Sequence, residues 1–368
     1  MTGYIMSDDW SEQRFIDFFG AYTAAYSLEV LAQCVRLLEV YLQVETLRKS
    51  PAATLHALLL ASPSDRAGVR VPVHAWPEPA LKRTTARDMS WCMVPPEAED
   101  MRYLHVFDKN AMYLGSAANA ALGLRGLERS EYLGPPDPKI AGYWRLPLRH
   151  APAYGHMAHL YEGNDTWLAT PEAVYYSHKY GVNAVEVWAW GVSTMGAKRW
   201  QTRIAAARAH FMNPPEGTPF EPEAYTLALV MLKQGYTKAL GWLDGHWFRE
   251  RTVPGQGLDS PDFRPDWRHQ IISIATANML RRIDAVEHRS EALGHVVVLG
   301  CHVDALYVLA DTSEAQEAAG YANIPLGDAL GEFKIEHEAL PWSSFDDAAR
   351  ISMAELRASI ALWEGMAG

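Results

Sequence analysis

Cysteine is scarce in this chain: Cys34, Cys92 and Cys301 are the three thiols in 368 residues, and they lie far apart. Such spacing builds neither a disulfide framework nor a zinc cluster, and it points to a reducing cytoplasm. Long apolar runs are missing too. No stretch is long enough to span a bilayer and no charged-then-apolar leader opens the sequence, so no membrane partner is expected. The 14 histidines include no HExxH or comparable ligand spacing. Basic charge is in deficit, with 33 Lys and Arg against 44 Asp and Glu and a formal net charge of -11. That argues against a nonspecific nucleic-acid coat, whose affinity comes from neutralising phosphates, but leaves room for a local basic channel. Internal repeats and low-complexity tracts are absent. The 13 Trp and 22 Pro suit an irregular, enzyme-like fold.

What is present is ample core material. Hydrophobic residues make up 49% of the chain, enough for one large domain or two to three subdomains. Residues 10–61 read as two or three helices, with Phe15, Phe18, Phe19, Tyr22 and Tyr26, then Leu28, Leu31, Val35, Leu38 and Leu42, at helical spacing. Residues 62–100 read as a connector with one strand candidate at 69–76. A strand over 103–107 stops at Asp108, and a helix is expected over 110–122. Strands over 143–148 and 184–190 flank a helix at 170–180, with Thr170 as its expected N-cap and Pro171 at its first position. Helices are expected over 198–212, 222–243 and 267–289. A hairpin follows at 294–311, then a short helix at 314–321, a closing strand at 330–338 and a C-terminal amphipathic helix at 345–366.

Two acidic residues stand out. Asp304 lies at the turn of the apolar hairpin, and Asp108 lies where a strand gives way to a helix. Each has a plain alternative: Asp304 can cap its own turn, and Asp108 can cap the helix. Two carboxylates at strand ends, with a basic helical region between them in sequence, also meet the needs of two-metal phosphoryl chemistry. Mg²⁺ takes one or two carboxylates plus phosphate oxygens and water. Lys233, with Arg203 or Arg208, is a candidate for holding a triphosphate.

These residues resemble the family B DNA polymerases, especially the protein-primed and viral branch. FDKNAMYL, residues 107–114, resembles the first palm motif D-x-x-S-L-Y-P. The resemblance puts Asp108 at a metal-binding position and Tyr113 under the incoming sugar. KQGYTKALG, residues 233–241, is similar to the fingers motif K-x-x-x-N-S-x-Y-G. Lys233 and Gly241 match, while Thr237, Lys238 and Leu240 replace Asn, Ser and Tyr. HVDALYV, residues 302–308, resembles D-T-D-S-(V/I)-Y-V. The register in which ALYV follows the motif gives Asp304 the metal-binding Asp, with His302 at the first Asp and Ala305 at the Ser. LGEFKIE, residues 330–336, is similar to the segment after that motif and would bring Lys334 to the primer strand. IATANMLRR, residues 274–282, loosely resembles the fingers-to-palm helix.

The resemblance covers about residues 100–340. It implies an α+β fold: a right-hand polymerase-like palm, an antiparallel sheet with helices, carrying a helical fingers insertion and an N-terminal helical region. The expected divisions are 1–95 for the helical region and connector, 96–196 and 291–340 for the palm, 197–290 for the fingers and 341–368 for a minimal thumb. The implied activity is template-directed DNA synthesis with two Mg²⁺, or Mn²⁺, on Asp108 and Asp304. No set of exonuclease carboxylates precedes Asp108, so a polymerase without proofreading is expected, serving a plasmid, phage or other mobile element. Primer-template DNA, dNTPs and a protein primer or replication partner are the implied partners. Lys334, Lys238 and Arg281 are the DNA-contact candidates, although Arg281 also reads as part of a solvated helix face. A catalytically degenerate polymerase-like DNA- or protein-binding module is the alternative. A nuclease or transposase of the RNase H type would need a further acidic residue such as Glu336 or Glu338.

Overall fold

The described residues of a computed structural model are 18–63, 76–82, 89–148, 166–195, 197–245, 260, 262–345 and 352–367. The chain divides into two compact units, residues 1–77 with 117–127 and 190–268, and residues 78–116 with 128–189 and 269–368.

The first unit is mainly helical. Its helices are α1 (Leu28–Leu42) and α2 (Pro51–Leu60), followed later in the chain by Ala197–Met212 and Pro222–Trp242. Serines start the first two: Ser27 Oγ accepts from the Val30 amide and Ser50 Oγ from the Ala53 amide, each satisfying a donor that a helix end leaves open. Leu31, Leu38, Leu55, Trp200, Ile204, Leu227 and Leu232 are buried. Gly235 sits inside the Pro222–Trp242 helix despite a propensity cost of about 1 kcal/mol. A Cβ there would lie 2.8 Å from Leu55 Cδ1 and 3.0 Å from Pro51 Cβ, so close helix approach requires glycine. Near residue 264 the unit buries an ion pair. Arg264 donates to both oxygens of Asp266 and to the Gly123 carbonyl, and its guanidinium carbon lies 4.5 Å from the Trp267 ring centroid and 5.0 Å from that of Trp190.

The second unit contains a five-stranded antiparallel sheet. Its strands are β1 (Ser90–Cys92), β2 (Tyr103–Lys109), Val296–His302, Ala305–Ala310 and Phe333–Pro341. Helix α3 (Met112–Ala117) follows β2. Next come β3 (Leu122–Gly134), β4 (Gly142–Leu146), β5 (Thr166–Ala169), α4 (Thr170–Tyr180) and β6 (Ala184–Thr194). The four strands β3, β6, β4 and β5 form a second sheet in that order. The remaining labels are α5 for Ala197–Met212, α6 for Pro222–Trp242 and α7 for Pro265–Leu293, then β7 for Val296–His302 and β8 for Ala305–Ala310. Helix α8 (Ala315–Tyr321), β9 for Phe333–Pro341 and α9 (Met353–Ala367) complete the chain.

The five-stranded sheet has the order β1-β7-β8-β2-β9, and its three central strands β7, β8 and β2 are buried on both faces, as their nearly continuous apolar runs imply. Phe107, Cys301, Leu306 and Val308 pack with Ala275, Met279, Leu280 and Ile283 of α7. The alternate residues Leu104, Val106, Leu299, Tyr307 and Leu309 pack with Met353, Leu356 and Ile360 of α9. This is the period-2 alternation of a strand.

Several expectations give way to tertiary contacts. The helix expected over 110–122 is only Met112–Ala117, and residues 122–134 are the unexpected strand β3. Gly123 accounts for part of that change, because a Cβ there would lie 2.2 Å from the Trp190 ring. Thr170 is not an N-cap: the cap is Ala169, and Thr170 begins the helix. Its hydroxyl donates to the Ile140 carbonyl at 2.7 Å and accepts from the Gly142 amide and the Trp144 indole, both at 3.0 Å, so tertiary partners outcompete the cap. Strands β1 and β5 were not anticipated. The closing strand runs Phe333–Pro341 rather than 330–338, and the last described helix begins at Met353 rather than 345. The strand expected at 69–76 lies outside the described residues except for Trp76, as do residues 10–17. No described helix is long and apolar enough to cross a membrane.

Candidate active site

The sheet register builds the site. Ser90 on β1 pairs with His302 on β7, and His302 pairs with Ala305 on β8. Ala305 pairs with Asp108 on β2, which pairs with Lys334 on β9. These five residues form one transverse row, and directly opposed residues of an antiparallel sheet point to the same face. Neighbours in such a row are about 5 Å apart, so His302 and Asp108 stand about 10 Å apart across the single methyl of Ala305.

Asp304 precedes Ala305 in the two-residue turn between β7 and β8. The Lys109 amide donates to the Asp304 carbonyl at 2.8 Å, tying the two acidic segments together through their backbones. The turn is locally strained: Val303 has φ 57°, rare for a β-branched residue, and its amide donates to the Met89 carbonyl at 2.7 Å. Ala111, after Asp108, has φ 46°. Asn110 fastens that second turn by donating through Nδ2 to the Gly327 carbonyl at 2.6 Å. Strain of this kind persists only where surrounding contacts over-determine the backbone.

Charges alternate around the row. Lys334 Nζ donates to Asp108 Oδ2 at 2.8 Å. That hydrogen bond raises the Lys334 ammonium above the usual lysine value, and the charges of Asp108, Glu336 and Asp304 add to it. Both carboxylates therefore act electrostatically on the same lysine. Lys109 lies 5.6 Å from the Phe333 ring centroid, and burial pushes its ammonium below the usual range, with Arg282 adding to the effect. Burial raises the Cys301 thiol, with the Asp304 charge contributing. Arg357 of α9 reaches His302, Nη1 to Nε2, at 2.8 Å, and His302 Nδ1 lies 3.0 Å from Ser90 Oγ.

The structure brings Asp108, Asp304 and Lys334 together at one end of the five-stranded sheet. Tyr113, on α3 in the same unit, is half-buried against the core that includes Phe107 and Met112. Arg281 is exposed on α7 and donates to Asn278 Oδ1 at 3.0 Å. The other predicted residues belong to the first compact unit. Lys233, Lys238 and Gly241 occupy the exposed side of α6. Arg203 and Arg208 are half-buried on α5, and Arg203 lines a depression of about 180 Å³ with Arg199, Trp200 and Leu58. Two members of the site escaped the sequence reading, Ser90 and Arg357. Their partner His302 lies 212 and 55 residues away, so no local spacing signals either contact.

No family model and no curated protein matches this chain. Solved structures of phi29 DNA polymerase do. Its ternary complex with primer-template DNA and incoming nucleotide superposes with a TM-score of 0.51 at 15% identity, covering 84% of this chain and 56% of that one. Its complex with single-stranded DNA gives 0.50 at 13%, covering 84% and 55%. Its binary complex with primer-template DNA gives 0.50 at 13%, covering 83% and 54%. The chain thus spans little more than half the length of these structures, and its mixed helical and antiparallel fold is distantly polymerase-like.

Proposed function

We propose that this chain is a template-directed DNA polymerase, with the five-stranded sheet as palm and α5 and α6 as fingers. The observation that carries this reading is the pair formed by Asp108 on β2 and Asp304 in the turn that leads into the adjacent strand β8, with a lysine already on the first carboxylate. The likeness to phi29 DNA polymerase, whose complexes hold primer-template DNA and nucleotide, supports it at the level of fold.

The donor set suits Mg²⁺. It consists of the hard carboxylate oxygens of two residues, and among the described residues no group of three or more His, Cys, Asp and Glu could hold a metal ion by itself. Mg²⁺ characteristically uses one or two carboxylates and completes its shell with phosphate and water. Asp108 and Asp304 would hold the ions, which supply charge stabilisation to the attacking and leaving oxygens. In the reaction the primer 3′-hydroxyl attacks the α-phosphate of a dNTP and pyrophosphate leaves. The chain contributes positioning and fixed charge. Lys334, once displaced from Asp108, contacts the primer strand, Tyr113 excludes a 2′-hydroxyl, and Lys233 binds the triphosphate.

A second reading, a polymerase-like DNA-binding module without catalysis, is favoured by one observation. Lys334 clasps Asp108, and position 302, next to the candidate metal site, carries an imidazole that is itself engaged by Arg357. Titration with a fluorescent dNTP, with and without Mg²⁺, separates the two. The polymerase reading predicts Mg²⁺-dependent binding that weakens at least tenfold in Asp304→Asn. Binding indifferent to Mg²⁺ and to that substitution leaves only the binding module.

A further inference from the structure

The sheet row carries a second cation that the proposed reaction does not use. Helix α9 buries Met353, Leu356 and Ile360 against the face shared by Val106 and Tyr307. That leaves Arg357 exposed on the helix flank, with Nη1 2.8 Å from His302 Nε2. Arginine can only donate, so Nε2 of His302 accepts. The ring proton is then on Nδ1, which donates to Ser90 Oγ at 3.0 Å. A carboxylate at position 302 would pair with the guanidinium and cancel its charge, whereas the imidazole orients Arg357 through a hydrogen bond and adds no negative charge. A guanidinium has five donors in a planar fork that matches phosphate oxygens. Arg357 thus stands beside the same row as Asp108 and Lys334, two strands from the first carboxylate.

We propose that Arg357, oriented by His302 and Ser90, contacts a backbone phosphate of bound primer-template DNA, so that the C-terminal helix contributes directly to nucleic-acid binding. This rests on the polymerase-like reading above only in requiring that DNA bind at the end of the sheet that carries Asp108 and Lys334, not that catalysis occur.

The test is fluorescence anisotropy of a labelled primer-template in EDTA, over a series of KCl concentrations, with thermal melts of each protein alongside. One lost phosphate contact flattens the slope of log K against log[salt] by about 0.7–0.9. Arg357→Ala is expected to show that flattening and several-fold weaker binding at low salt. Arg357→Lys keeps the charge and should hold the slope near wild type. His302→Asp keeps Arg357 but neutralises it, and should flatten the slope as Arg357→Ala does. Should Arg357→Ala fail to fold, His302→Asp carries the comparison. An unchanged slope in both Arg357→Ala and His302→Asp overturns the inference, including the case where affinity falls only because the melt is lowered. Wild type that binds no DNA overturns the function reading and this inference together. Wild-type binding with an indifferent Arg357→Ala overturns the inference alone.

Discussion

Replacing Glu172 with Gln should stabilise this protein at neutral pH, by an amount that depends on pH in a defined direction. Glu172 lies in the first turn of α4 and is 2% exposed. Its Oε2 has no hydrogen-bond partner among the described residues, and neither has the hydroxyl of buried Tyr176 one turn on. Burial pushes the carboxyl from 4.5 up to about 8, against a smaller opposing effect of the Ser273 hydroxyl. A carboxyl with a raised folded pKa binds its proton more tightly in the folded state. Its contribution is fully present below pH 4.5, and it is lost as pH rises between the unfolded value and about 8. The slope is about 1.4 kcal/mol per pH unit, so the cost at pH 7 is about 3 kcal/mol, an upper bound. Glutamine keeps the shape and cannot ionise. Urea midpoints for wild type and Glu172→Gln at pH 5, 6, 7 and 8 should diverge progressively in favour of the variant. A difference that stays constant from pH 5 to 8 would refute the buried, protonated carboxyl.

Arg264→Met leaves Asp266 buried without its partner and removes the guanidinium from between Trp190 and Trp267. A loss of about 3–5 kcal/mol is expected in urea unfolding, with much of it recovered in Arg264→Met/Asp266→Leu. Lys334→Ala should tighten Mn²⁺ binding at Asp108, because the metal no longer competes with the ammonium. With Lys334 47% exposed, the gain is limited to about fivefold, read by titration followed by electron paramagnetic resonance. Weaker Mn²⁺ binding in that variant contradicts the competition.

The elements legible in the sequence were those whose burial writes a period or an unbroken apolar run. The hairpin of Val297 and Val308, the strand ending at Asp108 and the helices bearing Ile204, Leu232 and Leu280 all fall near their expected places. Strand β3 was illegible because most of it is exposed, so Arg125 to Tyr132 show no alternation of apolar residues. Strand β1 is three residues long and gains its identity only by pairing with Gly300 to His302. Thr170 had cap chemistry but met Ile140, Gly142 and Trp144 first. At the site, motif spacing pointed to Asp108 and Asp304, and pairing register, which spacing does not encode, added Ser90. Arg357 was hidden for a related reason: a helix face can be read locally, but the strand it lies over cannot.

Primer extension on a primed single-strand template, with Mg²⁺ or Mn²⁺ and four dNTPs, tests the central claim most directly when wild type runs beside Asp108→Ala and Asp304→Ala. The account predicts extension by wild type and none by either variant, with all three folded by thermal melt. Extension by the variants at the wild-type rate, or none by wild type with either metal, contradicts it.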